Sequence, residues 1–233
     1  MKTLLFLHGL DGSKVNFKYL EKELQGDFQI INFDLIGFGD EQHAQGTYDL
    51  DCFLEFIEKK TENISKPFTI VAHSFGGILA KEFTRKHAQR VEKVFLMGYP
   101  LADTEVLLKK TINKMFAHNA LFGKILCETK IVWKYFLFPF FFLFWRKYFG
   151  SVQAYFQHSY TSESKTLQQI VLQDRCETLL MIKEKCALIF GEEDPLFEKK
   201  FASQFHLYVI KGMGHLFFGH EQKIATIIKN NSL

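Results

Sequence analysis

The sequence predicts an α/β fold: an open, mostly parallel sheet of about six strands, helices on both faces, and a helical, aromatic-rich insertion. Three observations predict it. Short apolar runs rich in β-branched and aromatic residues alternate with segments of helical pattern. The runs are almost continuously hydrophobic, as strands buried on both faces of a parallel sheet are. Glycine-bearing or acidic turns follow directly on most of them, beginning with HGLDGS over 8–13. At 233 residues, 47% hydrophobic and 24% charged, the chain suits one globular domain with a modest insertion.

In chain order, Thr3–Leu7 (TLLFL) reads as the first strand, with HGLDGS after it, and Asn16–Leu24 as a helix. Gln29–Phe33 is the second strand, followed by the turn Asp34-Leu-Ile-Gly37-Phe-Gly39. Leu50–Lys60 is helical, Phe68–Ala72 is the third strand, and Gly77–His87 the next helix. Val94–Met97 is the fourth strand. From Pro100 to about Asp174 no core strand is predicted, and the pattern is helical and strongly aromatic. Ala187–Phe190 is the fifth strand, followed by GEEDP; Lys199–Ser203 is a short helix; His206–Ile210 is the sixth strand, followed by KGMGH; His220–Lys229 closes as a helix. The chain therefore divides into a core of residues 1–99 and 175–233 and a cap of residues 100–174 lying over the carboxyl edge of the sheet.

Composition narrows the function classes. A net charge of +3 is too small to argue for nucleic acid. Cys52, Cys127, Cys176 and Cys186 have neither metal-ligand nor CxxC spacing and read as reduced, buried thiols of a cytoplasmic protein. The apolar run before His8 is too short for a signal peptide, and no run reaches the roughly 18 residues of a membrane span. The histidines form no HxxxH or HxH pair, so no metal site is expected.

In an open parallel sheet the ligand sits outside the carboxyl ends of the strands, so the loops just named should carry the chemistry. They hold Ser74 after the third strand, Asp194 after the fifth and His215 after the sixth. A serine hydroxyl becomes a nucleophile when a base takes its proton. Histidine is the side chain suited to serve as that base, so His215 is the candidate, and an aspartate at its other nitrogen fixes the tautomer. Around Ser74, the small residues Ala72, Gly76 and Gly77 let strand and helix approach at a tight corner. Glu192, Glu193 and Asp103 are rivals to Asp194, and His220 is a rival to His215. His8 and His73 read as structural, and Asp34 as the holder of its own turn.

These turns, in this order, resemble those of the α/β-hydrolase family. Its nucleophile elbow, G-x-S-x-G, appears here as Ala72-His73-Ser74-Phe75-Gly76, with the acid and the histidine following in the family's order. The likeness covers nearly the whole chain, which starts at what would be the family's third strand. It departs from the pattern at Ala72, where a methyl group replaces the first glycine. The resemblance implies a triad of Ser74, Asp194 and His215, an oxyanion hole from the N–H groups of Leu10 and Phe75, and no cofactor. A serine at the elbow also argues against the aspartate chemistry of dehalogenase and epoxide hydrolase relatives.

The insertion speaks to the substrate. Residues 101–150 hold nine of the 27 phenylalanines, both tryptophans (Trp133, Trp145), eight basic and three acidic residues. One reading is a cap whose aromatic face lines an apolar pocket. Another is a membrane-surface lid over residues 130–149, with Lys130, Lys134, Arg146 and Lys147 flanking the aromatic run YFLFPFFFLFW and Pro139 bending it. The expected function is hydrolysis of a small carboxylic ester with a hydrophobic acyl group, of carboxylesterase or monoacylglycerol-lipase type. Thioester, carbon–carbon or N-terminal prolyl cleavage on the same triad, and a slow-turnover receptor, are the alternatives.

Overall fold

The computed structural model describes residues 1–101, 129, 136, 138–139, 142–143 and 146–232. Most of the predicted cap, including Asp103, Cys127, Lys130, Trp133, Lys134 and Trp145, lies outside the described residues. The sheet consists of β1 (Lys2–Leu7), β2 (Phe28–Asn32), β3 (Phe68–His73), β4 (Val91–Met97), β5 (Cys186–Gly191) and β6 (His206–Ile210). All neighbouring pairs are parallel, in the order β2-β1-β3-β4-β5-β6. β4 begins three residues before the predicted Val94. Glu92 and Lys93 interrupt the apolar pattern there, yet the strand still pairs back to Val91 opposite Phe68.

The side chains of β1 show why both faces must be covered. Leu4 and Phe6 join one core with Phe17, Leu20 and Leu24 and with Ile224, Ala225 and Ile228. Leu5 and Leu7 join the other with Phe53, Leu54, Ile57, Ile78, Leu79 and Phe83. This two-residue alternation, apolar on both sides, leaves no face for water. Helices α1 (Lys18–Leu24) and α7 (Glu221–Ser232) cover the first face, and α2 (Leu50–Lys60) and α3 (Phe75–Lys86) the second. Asp49 starts α2 by accepting a hydrogen bond from the Cys52 N–H at 2.9 Å. Lys59 and Lys60 end it favourably for the helix dipole. The described helices also include α4 (Phe149–Tyr155), α5 (Tyr160–Thr166), a π-helical turn (Leu167–Val171), a 3₁₀ run (Cys176–Lys185) and the short α6 (Lys199–Ala202).

β2 lies on one side of β1 and β3 on the other, so the loops after β1 and β3 emerge side by side. An open parallel sheet leaves its crevice at such a reversal.

A buried ion pair ties α3 to the segments that follow β4 and precede β5. Lys81 on α3 donates to Asp174 Oδ1 at 2.5 Å and Thr178 Oγ1 at 2.7 Å, and the Tyr99 hydroxyl donates to Asp174 Oδ2 at 2.6 Å. The side chains of Lys81 and Asp174 are 1% and 3% exposed. Burial, then the Asp174 carboxylate, hold the Tyr99 phenol well above its usual range. Removing one partner of a buried pair leaves the other charge uncompensated. Asp174→Ala is therefore expected to cost about 3 kcal/mol, with Glu82 at 3.1 Å from Lys81 softening the loss. A lowered urea midpoint measures it, and the double variant Asp174→Ala/Lys81→Met should recover part of the loss.

Among the described residues no helix is long and apolar enough to cross a membrane. Cys52, only half-buried against the expectation of a buried thiol, and the buried Cys186 are free thiols.

Candidate active site

β3 is buried along its whole length and delivers the chain to Ser74 at its carboxyl end. Ser74 has φ 51° and ψ −117°, a conformation that L side chains rarely adopt. Such a residue costs on the order of 1–3 kcal/mol and persists where its surroundings fix it. Here they do. A Cβ on Gly76 would stand 2.3 Å from the Leu7 carbonyl oxygen, and one on Gly77 would stand 2.9 Å from the Tyr99 ring. The Ser74 N–H donates to the Met97 carbonyl at 2.9 Å. The corner is thus pinned between β1 and β4, and the fully buried Ala72 methyl is accommodated in the core.

The structure brings Ser74, His215 and Asp194 into one chain of hydrogen bonds. His215 Nε2 lies 3.0 Å from Ser74 Oγ, and His215 Nδ1 lies 3.1 Å from each Asp194 carboxylate oxygen. The Asp194 side chain is fully buried and also accepts the Leu196 N–H at 2.9 Å. Gly98, at φ +56°, makes room: a Cβ there would lie 3.2 Å from both Asp194 Oδ2 and the His215 ring. Of the rivals, Glu192 and Glu193 are exposed, Asp103 lies outside the described residues, and the His220 N–H caps the Phe217 carbonyl at the approach to α7.

The two further histidines take structural roles. His8 Nε2 accepts the Leu35 N–H at 2.9 Å while Nδ1 donates to the Gly9 carbonyl at 2.9 Å, which braces the β1 loop against the β2 loop. His73 donates its Nε2–H to the His215 carbonyl at 2.9 Å and so holds the loop that carries His215. Burial, reinforced by the His215 charge, pushes the His73 pKa down to about 3. Burial lowers that of His8 as well. A neutral buried histidine binds no proton where the unfolded chain does, so acid favours unfolding below the ordinary value of 6.5. His73 is therefore expected to take away stability progressively as the pH falls from 6.5 toward about 3. Urea midpoints at several pH values test this, and His73→Gln should flatten the slope. Asp34 holds its turn as expected, accepting the N–H of Lys14 at 2.7 Å and of Asp40 at 2.9 Å.

The β1 loop passes over the serine: a Cβ on Gly9 would lie 3.0 Å from His73 Nδ1 and 3.3 Å from Ser74 Cβ. Leu10 follows in a turn closed by the Gly12 N–H on the Gly9 carbonyl. Phe75 is the first residue of α3, and its ring is buried against Phe53. Neither Leu10 nor Phe75 donates its N–H in the loop and cap hydrogen bonds among the described residues. The arrangement brings a hydroxyl, an imidazole and a buried carboxylate into one hydrogen-bonded chain at the carboxyl ends of β3, β5 and β6.

Sequence reasoning missed one further group. Asp11, His158 and Glu163 are buried together, and their ligating atoms lie within 4.8 Å of one another. Their sequence separation carries no recognisable spacing.

A profile of the alpha/beta hydrolase family matches residues 4–227. A probable lysophospholipase, BODYGUARD 4, of Arabidopsis thaliana is 28% identical over 116 residues, 45% of this chain and 26% of that protein. A 1-acylglycerol-3-phosphate O-acyltransferase of Arabidopsis thaliana is 30% identical over 105 residues, 41% of this chain and 24% of that protein. The alignments thus span about a quarter of the length of these curated relatives. A thermophilic esterase from Thermogutta terrifontis superposes with a TM-score of 0.72 at 15% identity, over 99% of this chain and 89% of that one. This last likeness concerns the fold.

Proposed function

The chain belongs to the alpha/beta hydrolase family, and on that premise we propose that it is a serine hydrolase of carboxylic esters with a hydrophobic acyl group, working through an acyl-enzyme. The observation that carries the reading is the unbroken hydrogen-bond chain from Ser74 Oγ through His215 to the buried Asp194 on a strained corner. Ser74 attacks the ester carbonyl as its proton passes to His215 Nε2. Asp194 accepts the Nδ1–H throughout and stabilises the imidazolium that forms. The negative charge on the carbonyl oxygen falls to the N–H groups of Leu10 and Phe75, each such donor being worth about 3 kcal/mol to the transition state. His215 returns the proton to the departing alkoxide. A water, deprotonated in turn by His215, then releases the acid and restores Ser74. No metal or organic cofactor takes part in these steps.

Residues 1–99 and 175–233 form the catalytic core in this reading, and residues 100–174 the cap that receives the acyl chain. Phe136, Phe142 and Leu143 are exposed in this segment, beside the exposed Arg146 and Lys147. Apolar groups flanked by basic ones favour a cap that touches a lipid surface from the cytoplasmic side. The relatives described as a lysophospholipase and an acyltransferase of a lysophospholipid support an amphiphilic ester over a small soluble one.

Hydrolysis of p-nitrophenyl esters across a series of acyl lengths tests the proposal, with and without neutral and anionic vesicles. Turnover favouring longer chains is expected, raised by anionic vesicles. A folded protein that cleaves none of the esters sinks the esterase reading and brings thioester, carbon–carbon or prolyl cleavage, or a receptor role, to the front.

A further inference from the structure

The buried group missed in the sequence stands apart from the Ser74–His215–Asp194 chain. Asp11, on the loop after β1, is 6% exposed; His158, just before α5, is 6% exposed; Glu163, in the first turns of α5, is 4% exposed. His158 Nε2 lies 3.3 Å from Asp11 Oδ1 and 3.3 Å from Glu163 Oε2. We propose that these three side chains form a site for a divalent transition-metal ion of zinc type, clamping the β1 loop to the start of α5.

The distances argue for an ion between the groups. Charge-assisted N–H···O bonds run at about 2.7–2.9 Å, shorter than either separation from His158 Nε2. Ligands bonded at about 2.0–2.1 Å in a tetrahedron stand about 3.3 Å apart, which is the spacing of both nitrogen–oxygen pairs. The donor set agrees. One neutral imidazole and two carboxylates supply three ligands whose charge balances a divalent cation, with the fourth position left to water.

The ligands sit on backbone that is already fixed. Phe38 and His158 form an antiparallel bridge, and the Gly39 N–H donates to the Gln157 carbonyl at 2.8 Å. Ser162 Oγ donates to the Gly37 carbonyl at 2.9 Å, while Ser159 and Ser162 form a capping box that sets the first turn of α5. Asp11 occupies a left-handed conformation, φ 57°, within the tight turn after Gly9. The separations, the donor types and the preorganisation are each independent of what Ser74 does, so this proposal does not rest on the hydrolase reading. It does place the clamp one residue from Leu10.

The test is calorimetric titration of the untagged, metal-stripped full chain with zinc chloride, repeated for Glu163→Gln, Asp11→Asn and His215→Ala. Cobalt(II) absorption reports the coordination geometry. One equivalent of zinc should bind to the wild type, and cobalt should give the intense visible bands of a tetrahedral site. Removing either carboxylate should weaken zinc binding at least about 100-fold, beyond what loss of an outer-sphere partner does. His215→Ala should retain it. The proposal is overturned if the wild type binds zinc no tighter than about 100 µM, which needs no variant to fold. Binding unchanged in both carboxylate variants, or lost only with His215, overturns it as well. In those cases the trio is an ion pair alone.

Discussion

Ser74→Ala is expected to lower kcat for ester hydrolysis by about 10⁶-fold while the protein stays folded. Without Oγ there is no atom to attack the carbonyl, and His215 Nε2 loses its 3.0 Å partner. The same corner yields a second result in the opposite direction. Ser74 carries a side chain at φ 51° and ψ −117°, and alanine would still carry a Cβ there. Ser74→Gly removes that Cβ from a conformation glycine adopts freely. It should be as inactive as Ser74→Ala yet more stable than it by about 1 kcal/mol or more. Esterase assays beside urea unfolding of both variants check the pair. If glycine gives no gain over alanine, the corner stores no strain. If Ser74→Ala keeps more than a hundredth of wild-type activity, the nucleophile is another group.

Asp194→Asn is expected to lower kcat about 10⁴-fold with KM little changed. The carboxylate accepts the His215 Nδ1–H with both oxygens at 3.1 Å, which leaves Nε2 as the lone-pair nitrogen facing Ser74. An amide can turn its NH₂ toward Nδ1, favour the other tautomer and present Ser74 with an N–H instead of a base. It also removes the charge that stabilises the imidazolium. Pre-steady-state acylation separates this from a binding defect, because only the chemical step should slow. A loss under tenfold would move the orienting role to another acid. Glu192 and Glu193 point to solvent and make weak rivals, so the search would turn to Asp103.

Much of the fold was legible because its signals are local. The sheet and its six strands follow from apolar runs too continuous to face water, and Leu50–Lys60 appears with the predicted bounds because Asp49 caps it within the sequence itself. Boundaries set by pairing were less legible, as at Val91, where β3 extends a strand that Glu92 and Lys93 hide. Ser74, Asp194 and His215 were legible as residues that stand just past strand ends. His8 and His73 were legible as structural in kind, but their partners were not. No local pattern says that His73 donates to the carbonyl of a residue so distant in the chain as His215.

The sequence by itself determined the layering, the order of the turns and which residue types reach the crevice, since periodicity and glycine placement act over a few residues. Only the tertiary structure decided what meets what. Lys81 and Tyr99 each find Asp174, far along the chain from both. Asp11 finds His158 and Glu163 across the β1 loop. Hydrogen bonds and ion pairs of this kind depend on distances between segments, which the sheet order sets and no spacing along the chain records. Burial then makes them matter, because away from water each polar group must find its partner inside the fold.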